Sequence, residues 1–325
     1  MNSEPESRLA NYHCSQAFLK PKIREQPRVD DSIDKLISDE KPVTKTAVKA
    51  RESFSLSQTT DLTCSTGDDK AHSVMTVVQP SFEKRKQLQR RPDEKAVMFQ
   101  TWQKLLFLHW RFDPIQIQKL LPPGLTVDTH QGSAWVGVVP FYMRSIRPVW
   151  SPVVPYVSNF LELNVRTYAY DENGLPGVWF LSLDANRWLA AQFGKTFFRL
   201  PYFWGKLTAR EDSANWIKYS CRRFSDPKKQ THNFRYRGTG AASTAVEGTL
   251  DFFLVERYIL FTELKMGQLA TGQVHHTPYE IQTAEYSEYS EEILGLHPLE
   301  LPGRKPDHAV YSEGVDVEVF GLNRI

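Results

Sequence analysis

From residue 98 onward, apolar and polar positions alternate in short runs separated by Gly, Pro, Asn and Asp. That pattern predicts many short strands rather than a helical bundle. The clearest case is Phe160–Tyr170, where Glu162, Asn164 and Arg166 fall on one face of a strand and Leu161, Leu163 and Val165 on the other. Two placements satisfy this alternation. The polar row lies in water at a sheet edge, or it points into an enclosed cavity while a helix covers the apolar side. Glu162 and Arg166 stand four residues apart, roughly 13 Å along a strand, so they do not pair with each other. Buried, each needs a partner elsewhere in the fold or in a ligand, because an unpaired buried ion costs several kcal/mol.

Asp171 to Gly174 is turn chemistry, and Gly177–Leu183 reads as the returning antiparallel strand. Asp184 then stands ahead of a helical pattern, Ala185–Phe198, so an N-cap is expected there, with a cavity carboxylate as its alternative. Pro201 ends that helix and aims Tyr202 and Phe203.

The remaining elements follow in order. Leu105–Phe112 is a strand with Phe107, His109 and Arg111 on one face and Leu106, Leu108 and Trp110 on the other. Asp113-Pro114 caps a short helix carrying Ile115, Ile117, Leu120 and Leu121. Leu125–Asp128 and Ala134–Met143 read as a hairpin, and residues 144–158, with three prolines, as a long loop at the mouth of a pocket. Strands are predicted at 204–210, 216–223, 232–237, 259–264, 269–275 and 315–320, and Thr249 caps one more short helix. So few helices, most of them short, among so many strands give a fold class of α+β, mainly antiparallel β, closed or nearly closed as a barrel with one or two covering helices.

Composition divides the chain. All eight tryptophans lie beyond residue 100, whereas residues 1–97 offer four aromatics and no sustained apolar period. Such a segment cannot bury enough surface to offset chain entropy and is expected to be a disordered leader, with the folded domain spanning 98–325 and Met98 an alternative start. A net charge of +2 predicts no polyanion partner, and Lys84-Arg85-Lys86 with Arg90-Arg91 reads as a solvated linker able to form a transient helix. With no apolar run of membrane-spanning length and three cysteines without metal spacing, a reduced cytoplasm and no membrane or nucleic-acid partner are expected. Self-association is left open.

Several motifs are jointly specific. Trp102 with Leu105–Trp110, Leu121-Pro122-Pro123-Gly124-Leu125, Phe160–Tyr168, Gly177–Ala185, Leu200-Pro201-Tyr202 and Glu256-Arg257-Tyr258 resemble the YqjF family of uncharacterised bacterial proteins, from about Met98 to the end. That family in turn is similar to acetoacetate decarboxylase, which implies a curved antiparallel barrel or cone around a buried pocket. The resemblance also implies a glutamate at Glu162 and a pair of lysines after the corner proline, one forming a Schiff base. Here Tyr202 and Phe203 follow Pro201, and neither supplies an amine. Lys195 and Lys206 are expected at the surface. Imine chemistry is therefore not expected.

Three readings of the polar row remain. In the first, Arg166 captures a carboxylate or ketone ligand, Glu162 and Asn164 orient it, Tyr202 stands at the rim, His109 is a further ligand candidate, and Glu162 transfers a proton in a lyase or isomerase step. In the second, the same residues hold a ligand without turnover. In the third, Glu162 and Arg166 pair with Arg199, Arg222, Arg223, Glu256 or Asp184 and close a filled barrel. A cavity of roughly 300 Å³ or more at Arg166 favours the first two, and a filled interior the third. His275 and His276 face opposite sides of a strand and lack a third ligand, so no metal is expected, and no cofactor motif is present.

Overall fold

The computed structural model describes residues 78–325, and the leader expectation for residues 1–77 lies outside them. Residues 78–97, assigned to the leader above, carry a helix, α1 (Phe82–Gln87), whose N-cap Ser81 side chain accepts from the Lys84 amide. Arg85 is no solvated linker residue, because its guanidinium grips both oxygens of the buried Asp128 at 2.7 and 2.8 Å.

Twelve strands make one sheet. They are β1 (Met98–Phe112), β2 (Leu125–Val127), β3 (Ala134–Pro148), β4 (Phe160–Asp171), β5 (Pro176–Ala185), β6 (Tyr202–Glu211), β7 (Ile217–Arg223), β8 (His232–Thr244), β9 (Ile259–Glu263), β10 (Leu269–His275), β11 (Glu280–Glu288) and β12 (His308–Arg324). The helices α2 (Pro114–Gln118), α3 (Trp188–Phe197) and α4 (Leu250–Val255) complete the described α-elements. Asp113 caps α2 by accepting from the Ile115 amide at 2.8 Å, and Thr249 caps α4 through the Phe252 amide. The β4–β5 turn forms because the Asp171 side chain accepts from the amides of Asn173 and Leu175, with Gly174 at positive φ.

The sheet forks at two strands. β5 pairs β4 along its length, but its first half also meets β9 at Val178 and Trp179, while its end meets β6 from Leu183 to Ala185. β12 forks likewise, pairing β11 at Val310–Ser312 and β10 at Glu318–Arg324. Two closed circuits result. One runs β12-β1-β3-β4-β5-β9-β10 and the other β12-β1-β3-β4-β5-β6-β7-β8-β11, so five strands form a wall common to both.

A wall buried on both faces explains why every residue of β4 is buried. Leu161, Leu163 and Val165 pack in the larger circuit with Leu207, Tyr219, Cys221 and Phe234 from β6–β8. Phe107, Val139, Phe141 and Ala185 pack in the smaller one. The apolar side of β4 is thus covered by strands rather than by a helix. Two further expectations change. β2 pairs β4, not β3, so the predicted hairpin is absent, and β3 continues to Pro148 before the loop begins.

Candidate functional site

Glu162, Asn164 and Arg166 alternate on β4 toward the smaller circuit and are 2%, 6% and 8% exposed. With Tyr202 they line one hollow, closed by Gln100, Phe141, Leu183, Arg257, Tyr258 and Tyr279 among others. Its volume is about 100 Å³, between a filled interior and the roughly 300 Å³ at which drug-sized ligand pockets begin. The space suits a molecule of a few heavy atoms.

Tyr202 begins β6 directly after Pro201 and rests against Gly194 of α3, where any Cβ would collide with its ring. So held, its phenol donates to Glu162 Oε2 at 2.9 Å. Burial pushes the Glu162 carboxyl up to about 8; Asp184 acts in the same direction and the Tyr202 hydrogen bond opposes both. Glu162 is mostly protonated at neutral pH and presents a neutral carboxyl.

Arg166 makes one hydrogen bond within the protein, Nη2 to the Leu254 carbonyl at 3.3 Å, and lies 5.5 Å over the Phe107 ring. No carboxylate pairs with it among the described residues, and its Nε and the Asn164 Oδ1 are sealed without partners. Arg257, at the exit of α4, binds Asp128 Oδ2 and the Phe253 carbonyl, while its Nη2 has no partner. Burial draws Arg257 down to about 10, so it stays charged at neutral pH. Asp128 is shared by Arg85 and Arg257. Two guanidiniums on one carboxylate leave a positive excess beside the hollow. Next to it the Tyr258 phenol donates to Glu256, whose other oxygen accepts from the Tyr279 amide.

Four of the five residues singled out in the sequence therefore share a wall. His109 does not line the hollow. It is fully buried, with Nε2 2.7 Å from the Tyr168 hydroxyl and Nδ1 3.0 Å from His308 Nδ1, and His308 Nε2 reaches Asp251 at 2.8 Å. Burial holds His109 well below the usual histidine range, so it is a neutral link in a column of hydrogen bonds. Asp184 neither caps α3 nor faces the hollow. It is the penultimate residue of β5, is fully buried, and receives Arg223 Nε and Nη2 at 2.8 and 2.7 Å. The pairings that a filled barrel requires are formed by these two residues with each other, leaving Glu162 and Arg166 outside them. Lys195 and Lys206 are exposed, and among the described residues no lysine lines the hollow. Arg257 was quoted in a sequence motif without a role, and only Asp128, more than a hundred residues away, reveals that it is charged and fixed. Nothing in the local sequence marks Tyr279.

A mainly antiparallel sheet closed into rings around a small, mostly apolar hollow with a few polar side chains in its wall defines the class of protein. The chain belongs to the DUF2071 family of uncharacterized conserved proteins, whose model matches residues 99–316. It is 37% identical over 215 residues to the uncharacterized protein YqjF of Bacillus subtilis (strain 168), covering 66% of this chain and 87% of that one. Among solved structures, an acetoacetate decarboxylase-like enzyme from Sphingomonas wittichii RW1 is similar with TM-score 0.48 at 14% identity, over 71% of this chain and 94% of that one. Acetoacetate decarboxylase from Legionella pneumophila gives 0.49 at 12%, over 72% and 92%. The enduracididine biosynthesis enzyme MppR, complexed with pyruvate, gives 0.49 at 12%, over 72% and 93%. These likenesses are of outline only. Among the described residues, no helix is long and apolar enough to cross a membrane.

Proposed function

We propose that the hollow binds a small organic acid carrying a carbonyl or hydroxyl group, with its carboxylate on Arg166 and its other end beside Glu162 and Tyr202. One observation carries this reading: Arg166 is a buried cation in the cavity wall with no carboxylate of its own. Such a charge is costly alone and is repaid by an anion. A guanidinium binds a carboxylate through two parallel hydrogen bonds, which also fixes its orientation. The far end is uncharged at neutral pH. It offers a carboxyl and a phenol, suited to a carbonyl oxygen rather than to a second anion.

Chemistry at such a site is proton transfer. The ionised fraction of Glu162 takes a proton from carbon beside the ligand's carbonyl, the electron pair moves onto the carbonyl oxygen, and the resulting carboxyl returns a proton to the enolate. Among the described residues no lysine lines the hollow to form an imine. A second reading is favoured by the modest size of the hollow: an interior filled by ordered water, with Arg166 solvated there.

Thermal melting of the full chain with two- to four-carbon carboxylic acids, 2-oxo acids and neutral ketones separates these readings. Acids should raise the melting temperature and neutral isosteres should not, because only ligands that bind the native state stabilise it. No shift with any acid rejects the pocket. For turnover, deuterium exchange at the carbon beside the carbonyl, followed by NMR, should quicken as pH rises through about 8. It should fall roughly 10²- to 10⁴-fold in Glu162→Gln with acid binding retained. Binding without exchange leaves a non-catalytic binding barrel.

A further inference from the structure

Behind the hollow, a column of hydrogen bonds runs inward from a partly exposed carboxylate to the guanidinium of Arg166. Asp251 Oδ1 lies 2.8 Å from His308 Nε2, His308 Nδ1 lies 3.0 Å from His109 Nδ1, and His109 Nε2 lies 2.7 Å from the Tyr168 hydroxyl. That hydroxyl reaches the Leu254 carbonyl at 2.9 Å, and the same oxygen accepts from Arg166 Nη2. Asp251 sits in the first turn of α4, while His109 and His308 stand directly opposite each other in the β1–β12 ladder. β3 makes room at Gly137, where a Cβ would come within 2.9 Å of the His109 ring.

The hydrogens in this column follow from its inner end. A carbonyl only accepts, so the single hydrogen of the Tyr168 hydroxyl is committed to Leu254. The Tyr168 oxygen is then the acceptor toward His109, and His109 Nε2 carries hydrogen. Burial first, then His308 and Arg166, hold His109 well below the usual histidine range, so its other nitrogen, Nδ1, is a lone pair. His308 Nδ1 must therefore donate. His308 Nε2 must donate too, because it faces a carboxylate that its own hydrogen bond holds below the usual range against the opposing effect of burial. With both ring nitrogens donating, His308 is an imidazolium and Asp251 its counter-ion. The other charges nearby do not replace this pair. Asp307, next in the chain, is taken up by Arg111 and Arg304, and Arg166 and Arg257 lie at the far end of the column against the Tyr168 ring.

We infer that His308 and Asp251 are positioning residues for Arg166: the proton they hold orients the column so that Tyr168 shares the Leu254 carbonyl with the guanidinium. Loss of one proton to solvent leaves three hydrogens for the same contacts, and only the reversed order satisfies them. Tyr168 then donates to His109 Nε2, His109 Nδ1 to His308 Nδ1, and His308 Nε2 to Asp251. Leu254 is left to Arg166 alone, which ties the guanidinium more firmly to the protein, and one positive charge is gone. Weaker binding of acids in that state rests on the reading of the hollow given above, whereas the proton count does not.

Nitrogen-15 NMR of the full chain tests the inference without a ligand, with His308→Gln and Arg166→Gln used to assign the signals. At neutral pH both ring nitrogens of His308 should be protonated. As pH rises, the Arg166 Nε–H signal should shift in step with the loss of the second hydrogen from His308. In Asp251→Asn, a change at a partly exposed side chain, both events should move together to lower pH. Propionate affinity should fall at least about fivefold across the same interval in each protein; ionisation of Glu162, near 8, affects both alike. A His308 with one protonated nitrogen at neutral pH, or an Arg166 signal indifferent to His308, would overturn the inference. If Asp251→Asn does not fold, these two wild-type signals decide. Signals that move together in a protein that binds no acid would uphold the positioning role and sink the reading of the hollow.

Discussion

The two sides of the wall shared by the circuits are built from the same strands and end in opposite states. On the larger side Leu161, Leu163 and Val165 interlock with β6–β8, and the buried charges close on each other as Asp184–Arg223. The Tyr219 and Tyr236 hydroxyls there donate to the carbonyls of Glu162 and Lys104. On the smaller side the next residues along β4 leave a hollow, a neutralised carboxyl and a cation without a counter-ion. The contrast teaches that the hollow is no general looseness of the sheet. One strand supplies a saturated surface and an unsaturated one, and only the latter waits for something to complete it.

The comparison is broken most forcefully on the saturated side. Arg223→Ala strands Asp184 in a buried site and should cost about 3–5 kcal/mol in a denaturant melt. Arg166→Gln removes a cation that has no carboxylate and should cost far less; equal losses would mean that Arg166 is paired after all. Next in size is the pH dependence of stability. The Glu162 carboxyl titrates near 8 when folded against 4.5 when free, so the native state holds more protons between those values. Stability from this group is greatest below about 4.5 and falls as pH rises toward 8, by up to about 1.4 kcal/mol per pH unit. Glu162→Gln should flatten that decline, and an unchanged profile would show that Glu162 ionises normally. Smaller again, Gly194→Ala forces a methyl group against the Tyr202 ring and should cost about 1–3 kcal/mol while loosening the phenol from Glu162.

Local rules carried much of this architecture into the sequence. The alternation on β4, the caps at Asp113 and Thr249, the Asp171 turn and the strands β9 and β10 all rest on neighbours within a few residues, and each formed as read. What failed depends on distant partners. Asp184 looked like a cap because a helical pattern follows it, but Arg223, 39 residues away, fixes it in the sheet. The cover over the apolar side of β4 was expected to be a helix because periodicity does not reveal a forked sheet. His109 looked like a ligand residue because its strand alternates correctly, yet its ring is turned to Tyr168 and His308. Arg85 looked solvated for want of any local acid, while Asp128 waited 43 residues on.

The central claim is that Arg166 stands in the hollow as an anchor for an anion. Calorimetric titration of the full chain with propionate or pyruvate, run in parallel on wild type and Arg166→Gln at one pH and ionic strength, tests it most directly. The account predicts saturable binding near one molecule per chain in the wild type and none in a variant that still melts cooperatively. Equal binding by both proteins, or no heat from either, would contradict it.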